Sequence, residues 1–276
     1  MSDKALTWES CTLTHQGKVR QHNEDSCLER PDLGLWVVAD GLGGHLAGDV
    51  ASQMIVTELG GIESPQKSLE DFVQEVRERI QGVNTRLHEV SQRHRQLVGT
   101  TVVALLARGE RGACLWAGDS RLYRHAGGQL SQVTTDHTRM QRLIQEGLLA
   151  PEEANSDHPA SYVVTRALGA QPEIELAEAY FELGDNNTCL LCSDGLVRHV
   201  GDAEIAGLLP TGEPRAVAQR LLDLTLDRGA ADNVTISVVR FGAAASEDRG
   251  LGRHATSASS DDTQPLDDKT LPYRQN

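Results

Sequence analysis

TVVALLARGERGACLWAGDSRLYRH (residues 101–125) contains three short aliphatic or β-branched runs, 101–107, 113–117 and 121–125, separated by a few polar and glycine residues. Runs of that length bounded by turn residues read as strands. The gaps permit antiparallel hairpins but fall short of the roughly dozen residues that a parallel crossover needs. A doubly wound Rossmann-type sheet is therefore disfavoured, and antiparallel sheets flanked by helices, an α+β class, are expected.

Outward from this stretch, further apolar runs at 35–39, 174–181, 188–192 and 234–241 read as strands. Residues 68–94 place Leu69, Phe72, Val73, Val76, Ile80, Val83, Leu87 and Val90 three and four apart, which predicts an amphipathic helix with Ser68 and Asp71 spaced as a capping box. A second helix is expected after Gly48, a third over 138–146 stopping at Gly147, and a fourth from Pro214 to Gly229. No repeat or linker divides residues 1–242, which are expected to form one domain. Residues 243–276 are rich in Ala, Ser, Asp and Gly without apolar period and read as a disordered tail.

The chain has 276 residues with 26 Lys and Arg against 40 Asp and Glu, a net charge of −14. That balance argues against affinity built on neutralising nucleic-acid phosphates or anionic lipid. No run approaches the roughly 18 apolar residues of a membrane span, and the first residues lack the pattern of a signal peptide, so a cytoplasmic address is expected. Cys11, Cys27, Cys114, Cys189 and Cys192 are an odd, scattered set that fits reduced thiols. In CLLC (189–192), strand geometry points the two thiols to opposite faces, which favours packing over a redox or zinc pair.

Four acids stand in tight polar turns at the ends of apolar runs: Asp40 in LWVVADG, Asp119 in CLWAGDS, Asp194 in CLLCSDG and Asp232 in ADNVTISVV. Glu24 and Asp25 add an acidic pair in the turn after the first strand. Carboxylates converging at one edge repel unless a cation lies between them. Such oxygens select Mg²⁺, Mn²⁺ or Ca²⁺. The residues alone leave two readings open, a shared metal site or separate turn acids.

In DGLGGH (40–45), the glycines let backbone approach an ion closely and Gly41 offers its carbonyl. Leu46 stands where a dinucleotide loop needs its last glycine, and no Gly-Lys-Ser/Thr follows, so a nucleotide cradle is a weak reading. Arg20, four residues before Glu24, could present its planar fork to a phosphate or simply pair with Glu24.

Taken in order, GKVRQHNEDS (17–26), VVADGLGGH (37–45), GTT (99–101), AGDSRLYR (117–124), TTDHT (134–138), VVTRALG (163–169), CSDGL (192–196) and DNVTISVV (232–239) resemble the motifs of the metal-dependent serine/threonine protein phosphatases of the PPM or PP2C family, in their compact bacterial form. The resemblance covers residues 13–241. It implies an α+β fold with a central antiparallel β-sandwich flanked by α-helices on both sides, and a two-metal site at one end. By position, it implies that Asp40 bridges two Mn²⁺ or Mg²⁺ ions, that Asp194 and Asp232 complete one, and that Glu24 and the Gly41 carbonyl hold the other. Asp25 would orient water, Arg20 would bind the substrate phosphate, Asp119 with Asp194 would offer a weak third ion position, and 137–161 would be a mobile flap.

The implied reaction is hydrolysis of phosphoserine and phosphothreonine in proteins by a hydroxide bridging two ions, with no phosphoenzyme. Implied partners are phosphorylated proteins and a cognate Ser/Thr kinase; neither nucleic acid nor membrane insertion is expected, and the chain is read as a monomer. Two positions depart from the pattern. Leu42 stands where many eukaryotic members carry a histidine proposed as the acid, which leaves His45, His137 or metal-bound water for that role. Arg198 stands where an aspartate often helps hold the third ion, and its charge should weaken that position or take its place. The alternatives are a catalytically silent PPM-like phosphoprotein-binding or sensor module, which predicts lost metal acids, and a two-metal phosphodiesterase, against which the net charge counts.

Overall fold

Strand runs that are apolar at odd and even positions alike must be covered on both faces. The computed structural model, which describes residues 6–43, 46–63, 68–150 and 159–243, satisfies this with two stacked sheets enclosed by helices. In chain order the elements are β1 (Leu6–His15), β2 (Asp25–Arg30), β3 (Leu35–Leu42), α1 (Leu46–Gly60), α2 (Leu69–His94), β4 (Gly99–Thr100), β5 (Val102–Arg108), β6 (Arg111–Ala117), β7 (Arg121–Ala126), β8 (Gln129–Gln132), α3 (Arg139–Gln145), β9 (Ala177–Glu182), β10 (Thr188–Cys192), α4 (Asp194–Val197), α5 (Asp202–Leu208), α6 (Pro214–Asp227) and β11 (Val234–Ala243). One sheet runs β1-β11-β10-β7-β8, the other β2-β3-β5-β6-β9 with β4 on β3. Their paired strands are antiparallel.

Side-chain alternation along each strand divides the core into three apolar layers. Trp36 and Val38 of β3 meet Leu191 of β10 and Phe241 of β11 between the sheets. Leu35, Val37 and Ala39 face the other way, toward Ile55 of α1 and Phe72, Val76 and Ile80 of α2. On the opposite side, Leu190, Cys192, Ile236 and Val238 face Val217 and Leu221 of α6. Cys189 lies in the inter-sheet layer and Cys192 under the helices, as strand geometry predicts, and burial pushes both thiols up to about 12.

The predicted helix over 68–94 forms as α2, with the Asp71 N–H donating to Ser68 Oγ (3.1 Å) and that hydroxyl donating to the Asp71 carboxylate (2.7 Å). Two expectations change. β5 and β6 are a hairpin, but β6 and β7 belong to different sheets, so the short turn between them crosses the sandwich and carries Asp119 with it. Gly118 makes this crossing at φ +118, pressed against the Thr101 side chain, a conformation and a space that exclude a Cβ. β11 runs to Ala243, which pairs with Leu6, so the domain includes the first residue assigned to the tail. The remainder of that tail, residues 151–158 of the expected flap, and His45 lie outside the described residues.

Candidate active site

Strand ends at one edge of the sandwich deliver the acids. Asp25 opens β2 directly opposite Asp40 near the end of β3. Asp194 follows β10 and Asp232 precedes β11, and because these strands are antiparallel neighbours with Cys192 opposite Ile236, the two acids emerge side by side. Glu24, Asp40, Gly41, Asp119, Asp194 and Asp232 line one cleft of about 390 Å³, together with Arg20 and Arg198. Asp25 does not line that cleft and borders instead a cavity of about 560 Å³ beside α1.

Backbone contacts hold these positions. The Asp40 N–H donates to Thr101 Oγ1 (3.1 Å), and its carbonyl accepts from the Thr101 N–H (2.8 Å) and Thr100 Oγ1 (2.9 Å). The Gly41 N–H donates to the Glu24 carbonyl (3.1 Å), which ties the two donors of the second expected ion together. Asp25 Oδ2 accepts from Ser193 Oγ (2.8 Å) and Thr235 Oγ1 (2.7 Å), while its Oδ1 has no hydrogen-bond partner.

Sequence reasoning missed Asn233. Its Oδ1 accepts from the Glu24 N–H (2.8 Å), and its Nδ2 donates to the Gln16 (2.8 Å) and His22 (2.9 Å) carbonyls. One amide thus clamps the loop bearing Arg20 and Glu24 onto the turn bearing Asp232. The Asp-Asn pair ahead of an apolar strand was the available signal, since Asn in such a turn bonds nearby backbone. Asp49 of α1, also missed, adds negative charge beside Glu24 and leaves Oδ1 buried without a partner.

A Cβ on Gly195 would overlap the Asn233 carbonyl oxygen. Gly195→Ala should therefore spread the β10 and β11 ends and destabilise by about 1–3 kcal/mol, as overpacking does. Gly207 of α5 has open space around it, so Gly207→Ala should instead stabilise by up to about 1 kcal/mol. Urea denaturation of the pair checks both signs.

The acids are poised against one another. Burial, then Asp25, Asp194, Asp119 and Asp232, push Asp40 well above the usual carboxylate range. Burial also brings Asp25 to about 7, with Asp194 and Asp232 adding to the shift against its two hydroxyl donors. Burial, Asp194 and Asp136 bring Asp119 to about 8. Arginines partly offset this charge. Arg20 grips Asp232 through Nε (2.8 Å) and a terminal nitrogen (2.9 Å), and Arg198 bonds both Asp194 and Asp232 (3.2 Å to the latter).

Among the described residues, no three His, Cys, Asp or Glu side chains form a ready-made ion cage. The donors nevertheless suit a hard divalent cation: they are carboxylate and carbonyl oxygens, buried Asp194 Oδ1 has no hydrogen-bond partner, and burial, with mutual repulsion added, raises Asp40, Asp119 and Asp194.

His137 does not join the cleft. Its Nδ1 accepts from the Gly118 N–H (3.1 Å), its ring stacks on Trp116, and burial with the Arg166 charge pushes it down to about 4. A neutral imidazole turned to the backbone steadies the Asp119 crossing and is a poor proton donor near neutrality. Leu42 lines the cleft without a proton to give.

A family model described as protein phosphatase 2C matches residues 14–221. The serine/threonine protein phosphatase PstP of Mycobacterium tuberculosis is 36% identical over 240 residues, covering 86% of this chain and 46% of that protein, so the chain spans about half the length of this relative. The serine/threonine phosphatase stp of Listeria welshimeri is 33% identical, with 82% of this chain and 93% of that protein covered. Among solved structures, PppA, described as a key regulatory component of T6SS in Pseudomonas aeruginosa, superposes with a TM-score of 0.79 at 42% identity over 85% of this chain and 98% of that one. The catalytic domain of PstP in complex with two manganese ions superposes with a TM-score of 0.76 at 33% identity, over 86% and 99%.

Proposed function

The chain belongs to the protein phosphatase 2C family, and on that premise we propose that it is a metal-dependent hydrolase of phosphoserine and phosphothreonine in proteins. The observation that carries this reading is the single cleft in which oxygen donors from distant chain segments meet two guanidinium groups. Asp40 would serve two Mn²⁺ or Mg²⁺ ions, Asp194 and Asp232 one of them, Glu24 and the Gly41 carbonyl the other, and Asp119 with Asp194 a weaker third. Bound divalent cations supply positive charge and an activated water for in-line attack at phosphorus.

The chain's own residues do the rest. Arg20 is 52% exposed at the cleft, and the planar fork that now holds both oxygens of Asp232 matches two oxygens of a phosphoryl group. Asp25, held by Ser193 and Thr235, keeps one oxygen free to orient a water. A thiol nucleophile is disfavoured, because burial keeps Cys189 and Cys192 protonated and neither lines the cleft. A catalytically silent binding module is disfavoured by the presence of every implied metal acid.

The substrates are proposed to be phosphoproteins made by a cognate Ser/Thr kinase in the cytoplasm, and the likeness to PppA supports a regulatory role in protein secretion. Among the described residues no helix is long and apolar enough to cross a membrane. Phosphate release from a phosphothreonine peptide should require Mn²⁺ and stop in EDTA, while bis-p-nitrophenyl phosphate turns over far more slowly. Release that survives EDTA, or a preference for the diester, would refute the assignment.

A further inference from the structure

Arg198 stands four residues after Asp194, so one helical turn brings its side chain back over that acid. The guanidinium bonds Asp194 Oδ2 and Asp232 Oδ2, and its carbon lies 4.7 Å from the centre of the Tyr162 ring, which borders the same cleft. Arg20 holds Asp232 from the exposed side. The two acids assigned to one ion therefore close onto guanidinium groups, which accounts for the lack of a ready-made cage among the described residues.

We propose that Arg198 is an internal counter-ion that competes with divalent cations for Asp194 and Asp232 and so sets the metal affinity of the cleft. This rests on the two-cation reading above. Arg198 is 27% exposed against 52% for Arg20, so its ion pairs are less screened by water. An arriving ion must displace the guanidinium from the carboxylates or bind beside its charge. The Tyr162 face offers a place where the displaced group keeps a favourable contact. Arg198 thus acts as a positioning residue, bridging the two acids and balancing their charge until ions arrive.

The test is calorimetric titration of Mn²⁺ into the metal-stripped full chain at constant salt. Arg198→Gln should bind Mn²⁺ roughly tenfold more tightly than the wild type, since a unit charge beside the ion is removed. Arg198→Lys, which keeps the charge, should bind as the wild type does. Unchanged or weaker binding by Arg198→Gln would overturn the proposal. Should that variant fail to fold, the wild type still decides: saturating Mg²⁺ should move the Arg198 Nε–H resonance, assigned by its loss in Arg198→Lys, and an unmoved resonance would also overturn it. Mn²⁺ binding that is absent from the wild type, or indifferent to Asp40→Asn, would instead remove the two-cation reading itself.

Discussion

Asp40→Asn should lower kcat by about a thousandfold or more, the scale expected when several kcal/mol of metal-derived stabilisation are lost, and yet leave the metal-free chain more stable. Both effects come from one buried carboxylate. Asp40 is the acid assigned to both ions, on a strand whose backbone is pinned by Thr100 and Thr101, which holds its carboxylate at the cleft. Without ions the same group is a liability, because burial and four nearby aspartates oppose its charge. Asparagine keeps the shape and removes the charge, which should gain about 1–3 kcal/mol in EDTA. Steady-state hydrolysis with Mn²⁺ and urea denaturation in EDTA measure the two halves. A variant that keeps its kcat, or that is less stable than the wild type in EDTA, would contradict the role assigned to Asp40.

A second large effect concerns pH. In EDTA the chain should lose stability as pH rises from about 6.5 to about 8.5, by about 1–3 kcal/mol. Asp25 and Asp119 titrate at about 7 and about 8 in the folded chain against 3.8 when unfolded. Between those values the folded state holds more protons than the unfolded one, so raising the pH favours unfolding. His137 works in the opposite sense, but only below its ordinary 6.5, where the unfolded chain takes up a proton that the folded one refuses down to about 4. The window above pH 6.5 therefore excludes His137, and the buried thiols, ordinarily at 9.0, add to the loss only toward its upper end. Saturating Mn²⁺ should reverse the slope, since ions bind the ionised carboxylates and protons compete with them. Thermal melting across this range in EDTA and in Mn²⁺ checks the crossing; parallel slopes would show that the acids do not act together on bound ions.

Such couplings explain why the site was only partly legible beforehand. The apolar period of α2, the strand at 188–192 and the turn acids could be read from local pattern, because each depends on residues a few positions away. The partner of each acid could not. Asp25 faces Asp40 through strand register, and Ser193 and Thr235 reach Asp25 from the other sheet. Asn233 looked like an ordinary turn residue until its amide was seen to bridge to Gln16, His22 and Glu24. The turn at Asp119 has the length of a hairpin, and only packing of the two sheets turned it into a crossing.

Read alone, the chain disfavoured a doubly wound parallel sheet, since the short gaps within 101–125 cannot carry a parallel crossover, and it supplied an ordered set of motifs that marked the candidate oxygen donors. Tertiary structure decided which donors share a cleft, how burial and repulsion lift Asp25, Asp40 and Asp119 together, and that Arg198 reaches Asp232 across more than thirty residues of chain. The division follows from range: hydrogen-bond and apolar periodicity act within a few residues, whereas charge acts through space and has no meaning until folding sets the distances.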